Sequence, residues 1–164
     1  MKKVCCVLLM VLLLCGCSAQ ETFEQVYDEL LLPVVAPMGE LKLTLPEGAG
    51  VPTLVSETGD RLYFCDGYTL AVQTLEAGDL DQTLQSLCGY GRQDLTVLET
   101  REGTLDRYDW VFTCIGEEGT QLGRGAILDD GNYHYCATVM AQEAASGALT
   151  GQWDAIFRSM HLEG

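Results

Sequence analysis

The chain has 164 residues, of which 24 are Asp or Glu and 9 are Lys or Arg, giving a formal charge of −15 and a pI near 4.2. At that length one domain is expected, and an acidic body repels phosphate, which sets nucleic acid aside as a partner. With 48% hydrophobic residues the chain has enough apolar material for a core, so wholesale disorder is excluded too.

Met1-Lys2-Lys3 is a short cationic end, followed by an apolar run over residues 4–14 broken by nothing more polar than Cys5 and Cys6. A bilayer span needs about 20 apolar residues; this run has the length of a signal-peptide hydrophobic region instead. It ends in Leu14-Cys15-Gly16-Cys17, which resembles the lipobox of bacterial lipoproteins: Leu at −3, a small residue at −2, Gly at −1 and the modified Cys at +1. Cys15 competes poorly for the modified position, because bulky Leu14 would then precede the cleavage site. The resemblance implies that residues 1–16 are a signal peptide, that Cys17 receives a thioether-linked diacylglycerol, and that fatty acyl chains such as palmitate anchor the mature protein to the outer, extracytoplasmic face of the cell membrane. Two acyl chains, at about 0.8 kcal/mol per buried CH₂, make a stable anchor. A plain secretory signal with an incidental cysteine is the competing reading.

Removing residues 1–16 takes away Lys2 and Lys3 and leaves 7 basic against 24 acidic side chains, a charge of −17 over 148 residues. Anionic headgroups then push the mature body away within a screening length of about 8 Å. Membrane attachment is expected through the lipid at Cys17 and not through the protein surface.

Residues 17–39 read as a lipidated tether carrying Pro33 and Pro37. Within it Phe23, Val26, Tyr27, Leu30 and Leu31 recur at helical spacing, which fits a short amphipathic helix ending before Pro33; an unstructured stalk with a sticky patch fits equally. The domain is placed at residues 40–164. Leu41, Leu43 and Leu45 alternate with Lys42 and Thr44 as in a half-buried strand, which Pro46-Glu47-Gly48 stops. Residues 53–56, 61–66 and 68–75 follow as strands. Asp79 is then an N-cap before Leu80, Leu84, Leu87 and Cys88, one apolar helical face closed by Gly89 and Gly91. Residues 95–100 return to a strand. A meander over 105–115, 121–129 and 132–141 comes next, with Asp130-Gly131 as a two-residue hairpin turn. Leu149, Trp153, Ile156, Phe157 and Met160 define a face of a C-terminal helix.

Pairing Asp129 with Asn132 and Gly116 with Thr120 puts Trp110, Phe112, Cys114, Leu122, Ala126, Leu128, Tyr135 and Val139 on one sheet face, with Val111, Ile115, His134, Cys136 and Met140 on the other. Both faces are largely apolar, whereas a sheet with one solvated face alternates more cleanly; helices are therefore expected on both sides of an antiparallel α+β sheet. A leading strand ending in Leu45-Pro46-Glu47-Gly48, early strands, a central helix, a long meander and a closing helix with Phe157 near Ser159-Met160 together resemble the PsbP-like α/β/α sandwich. That resemblance spans roughly residues 40–162 and implies an accessory or binding role more readily than chemistry.

Candidate chemistry is sparse. Cys65, Cys88, Cys114 and Cys136 are an even set that admits disulfides, but each lies in an apolar periodic segment where a free thiol acts as a small hydrophobe, and buried thiols are favoured. His134 and Cys136 share a strand face, yet their stems are about 7 Å apart, too far for a nucleophile and its base. His161 has no nucleophile elbow to serve. Asp129, Asp130 and Asn132 cluster at a Gly turn and are surface candidates for a weak Ca²⁺ site, although a hairpin explains the same residues. Gly123 and Gly125 are mid-strand, where a missing side chain admits a helix or another backbone. Neither a cofactor nor a metal is expected.

The sequence reading is therefore a lipid-anchored extracytoplasmic module without catalysis, whose partners are the membrane, through Cys17, and another protein of the cell envelope. Two rivals stay open: an envelope hydrolase with a site assembled from distant residues, and a ligand or cation carrier for a transporter.

Overall fold

The structure, a computed structural model, describes residues 36–45, 49 and 51–164. The signal segment, Cys17, the tether helix and the Pro46-Glu47-Gly48 stop lie outside the described residues. Residues 37–164 form one compact unit.

In chain order this unit contains β1 (Glu40–Lys42), β2 (Leu54–Val55), β3 (Arg61–Cys65), β4 (Tyr68–Glu76), α1 (Leu80–Cys88), a 3₁₀ turn (Arg92–Asp94), β5 (Val97–Glu102), β6 (Leu105–Gly116), β7 (Gly119–Asp129), β8 (Tyr133–Gln142), α2 (Glu143–Ser159) and β9 (His161–Glu163). Seven strands make one antiparallel sheet in the order β2-β3-β4-β8-β7-β6-β5, and β1 pairs with β9 apart from it. Two meanders, β2 to β4 and β5 to β8, meet where β4 lies beside β8, with Val72 opposite Ala137. The class expected from the sequence, an antiparallel sheet with a helix on each face, is the class observed.

The connection from β4 to β5 must travel from the third position in the sheet to the far edge, and α1 with the 3₁₀ turn is that crossing. Asp79 starts α1 by accepting a hydrogen bond from the Asp81 N–H at 3.0 Å, and Gly89 ends it at φ +82, where a side chain is strained. Its buried Leu84 packs with Trp110, Phe112, Ile127 and Cys136. Leu75 of β4 and Val97 of β5 pack at the margins of this cluster, whereas Leu54 of β2 and Phe64 of β3, farther out on the same face, are exposed.

Helix α2 covers the opposite face, burying Leu149, Trp153, Ile156 and Phe157 against Tyr68, Leu70, Ala126, Leu128, Tyr135 and Val139. Tyr68 meets Trp153 edge-on at 6.3 Å between ring centres. The Arg124 guanidinium lies 4.6 Å above the Phe157 ring and pairs with Asp154, while Arg107 donates to the Phe157 carbonyl at 2.8 Å. Leu41 of β1 and Met160 beside β9 close the end of this core.

Two hairpin registers differ from the sequence expectation. In β6–β7, Gly116 pairs with Gly119, which takes φ +117, so Glu117-Glu118 is the turn and every β6 side chain moves one place. A one-residue slip exchanges faces: Trp110, Phe112 and Cys114 lie with Ile127, His134 and Cys136 under α1, and Val111 and Ile115 lie on the α2 face. The reason is steric. The Trp110 and Phe112 rings occupy the space over Gly125 and Gly123, where an added Cβ would stand 2.2 Å from ring carbon in both cases. The two glycines thus admit neighbouring aromatic rings and not a helix or another backbone. In β7–β8, Asp129 pairs with His134 and the turn is Gly131-Asn132; this shift of two leaves the faces unchanged.

Candidate functional site

Beneath α1, His134 is 1% exposed and its two ring nitrogens face the groups on either side of it. Nδ1 is 2.8 Å from the Thr83 hydroxyl on α1, and Nε2 is 3.5 Å from an Asp129 carboxylate oxygen at the end of β7. This is a hydroxyl, imidazole and carboxylate in line, the residue types of a hydrolase. The hydroxyl, however, is buried between helix and sheet, where a substrate has no approach, so the line acts as a clasp. Cys136, on the same face as the sequence indicated, contacts the His134 backbone carbonyl and not its ring. Burial pushes its thiol far above the ordinary value, which leaves it protonated and inert at neutral pH.

All four described cysteines beyond residue 17 are free. Cys114 and Cys136 sit on β6 and β8 with β7 between, as expected, but the corrected register puts them on one face and not on opposite ones.

The acidic turn is self-contained. Asp130 accepts the N–H groups of Asn132 and Tyr133 at 2.8 and 2.7 Å and the Tyr135 hydroxyl at 2.8 Å. Partial burial raises its pKa, but these donors outweigh it and hold the carboxyl below its ordinary value. Asp129 accepts the Gly131 N–H at 2.7 Å. Asp129, Asp130 and Asn132 are therefore brought together as a turn, with the Asp129 carboxylate shared between the Gly131 N–H and the His134 ring and the Asp130 carboxylate between the Asn132 and Tyr133 N–H groups and the Tyr135 hydroxyl. Among the described residues no group of three or more His, Cys, Asp or Glu is placed to hold a metal ion. His161 lies on β9, far in role from any of these, bonded to the Ser159 carbonyl.

The surface offers a different arrangement. β5 pairs with β6 only as far as Val97 opposite Trp110, so among the described residues no strand lies on the outer side of residues 111–116 of β6. The Thr113 carbonyl points outward, since it accepts the Tyr90 hydroxyl at 2.6 Å; by strand alternation the N–H and C=O of Val111 and Ile115 point outward as well. Val111 is 57% and Ile115 91% exposed. Beside this edge lies a cavity of about 330 Å³ whose walls include Tyr90, Asp94, Leu95 and Phe112. The sequence marked Val111 and Ile115 as one sheet face but gave no sign that β5 stops short of them.

Charge is distributed unevenly. Each of the seven basic side chains in the described residues is ion-paired: Lys42 and Arg61 with Glu40, Arg92 with Glu99, Arg101 with Asp106, Arg107 with Glu102 and Asp109, Arg124 with Asp109 and Asp154, and Arg158 with Asp154. The surplus is carboxylate, including Asp94, Glu117 and Glu118 around the open edge.

No family model and no curated protein matches the chain. Among solved structures it is similar to the solution structure of cyanobacterial PsbP (CyanoP) from Synechocystis sp. PCC 6803, at 10% identity and a TM-score of 0.49, over 78% of this chain and 84% of that one.

Proposed function

We propose that the chain is a lipid-anchored, extracytoplasmic lipoprotein of the bacterial cell envelope, an accessory or binding module that works without a catalytic centre of its own. One observation carries the reading: a cationic start, an apolar run of signal-peptide length and Leu14-Cys15-Gly16-Cys17 occur in the order and spacing that lipidation of Cys17 requires. The commitments of the reactive side chains support the second half of it. His134 is engaged on both nitrogens, the Cys136 thiol is held protonated, and Asp129 and Asp130 spend their carboxylates on a turn. The surplus of carboxylate supports attachment through lipid alone, because the body is repelled by anionic headgroups.

Detergent phase partitioning of the full-length chain, produced in a host that processes lipoproteins, tests the anchor. The protein belongs in the detergent phase with an acylated N-terminal peptide by mass spectrometry, and Cys17→Ala belongs in the aqueous phase with its fold retained. A Cys17→Ala protein that stays in detergent overturns the proposal.

A further inference from the structure

We propose that the open outer edge of β6 at residues 111–116 is a docking site for an extended, basic polypeptide segment of a partner protein, which pairs there as an eighth strand of the sheet. The inference deepens the binding-module reading above and rests on it.

Three features converge. First, the backbone is available: β5 ends opposite Trp110, and the outward N–H and C=O groups of Val111, Thr113 and Ile115 are a ladder with no strand of the described residues beside it. Proteins usually blunt such an edge. The opposite edge of this sheet is blunted, because β2 is two residues long, but β6 runs free for six. Second, the side chains suit a strand partner. Val111, Thr113 and Ile115 are exposed on one face, which is how added strands are read, by main-chain hydrogen bonds for affinity and alternate side chains for specificity. The adjoining cavity can seat one apolar side chain. Third, the charge selects the partner. Among the described residues no cation pairs with Asp94 at one end of the edge or with Glu117-Glu118 at the other, since each is paired elsewhere.

A second copy of this chain would bring the same carboxylates and a mature body of −17 against themselves. A basic segment meets neither penalty. The Tyr90 hydroxyl now holds the Thr113 carbonyl that an incoming N–H would take, so it acts as a placeholder on the ladder.

The test uses the full-length chain in detergent and three capped synthetic peptides: alternating valine and threonine with two lysines at each end, the same with glutamate for lysine, and the lysine peptide with proline at alternate positions. Amide hydrogen exchange at Val111, Thr113 and Ile115 is expected to slow at least tenfold with the lysine peptide, to be unchanged with the other two, and to recover as salt is raised. Ile115→Lys, at a side chain 91% exposed and so harmless to the fold, should weaken peptide binding at least fivefold. Tyr90→Phe should strengthen it. Equal protection by the glutamate or proline peptide overturns the proposal, and so does protection without peptide that grows with protein concentration, which assigns the edge to a second copy. Failure here with Cys17-dependent partitioning intact removes the docking site and leaves the anchored module standing; the reverse pattern removes the anchor and leaves the site.

Discussion

Thr83, His134 and Asp129 join three elements through one imidazole: the helix above, the strand below and the turn at its end. Removing a buried partner leaves the others desolvated and unpaired, at a cost of about 1–3 kcal/mol. His134→Ala and Thr83→Val are each expected to lower unfolding stability by that amount in urea, and the double variant by less than the two together, since both break the same bond. His134→Ala should nevertheless retain its biological activity at equal protein level. A folded, abundant and inactive His134→Ala protein would revive the hydrolase reading. Asp130 gives a pH-dependent counterpart. Its folded pKa lies below its ordinary value of 3.8, so its contribution is complete above the unfolded pKa and is lost as pH falls through the folded one. Urea midpoints measured from pH 6 to pH 2 should therefore drop below about pH 4 in the native protein by more than in Asp130→Asn.

Within the strands, the glycines opposite the aromatic rings are the sharpest determinants. Gly125→Ala places a methyl group 2.2 Å from the buried Trp110 ring; overpacking of that kind costs roughly 1–3 kcal/mol, and Gly123→Ala should behave alike against Phe112. Gly147 in α2 gives the opposite sign, because a Cβ there meets nothing within 4 Å; Gly147→Ala should gain up to about 1 kcal/mol of helix propensity. Urea denaturation of the three variants checks both signs. The same pairs explain what was legible in the sequence. Strand and helix periods revealed every long element, because Leu80, Leu84 and Leu87, or Tyr133, Tyr135 and Ala137, repeat on a buried face. The first turn of α2 leaves no sequence signal, since Ala144-Ala145-Ser146-Gly147 carries no apolar period. β9 leaves none either, because three residues hold no period at all. The turn residues alone point to a β6–β7 register one place off, yet Trp110 and Phe112 share the i, i+2 spacing of Gly123 and Gly125, and matching large to absent side chains gives the observed pairing directly. The open edge was illegible for another reason: where β5 stops depends on the long crossing through α1, which no local pattern encodes.

For the molecule as a whole, the corrected faces change one expectation and keep another. Cys114 and Cys136 share a face, but Cys114 stands opposite Gln121 and Cys136 opposite Ile127, on strands with β7 between them. Two inter-strand spacings are about 9.5 Å, beyond the roughly 7 Å that a disulfide spans between Cα atoms. Non-reducing peptide mapping should find no Cys114–Cys136 crosslink, and finding one would overturn the observed register. The pairing of β1 with β9 has a mechanical consequence. Glu40 lies opposite Glu163 and Lys42 opposite His161, so a pull applied to the two ends of the domain enters this pair from one side and peels its hydrogen bonds in succession instead of shearing them together. The β1–β9 pair is thus a weak first link in series with a strong sheet: under tension it opens at low force and spares the seven strands behind it. In an optical trap, handles at both ends should record a small early extension before the main rupture, and Leu41→Ala, which loosens β1 from the core, should move that early step to still lower force while leaving the main rupture in place.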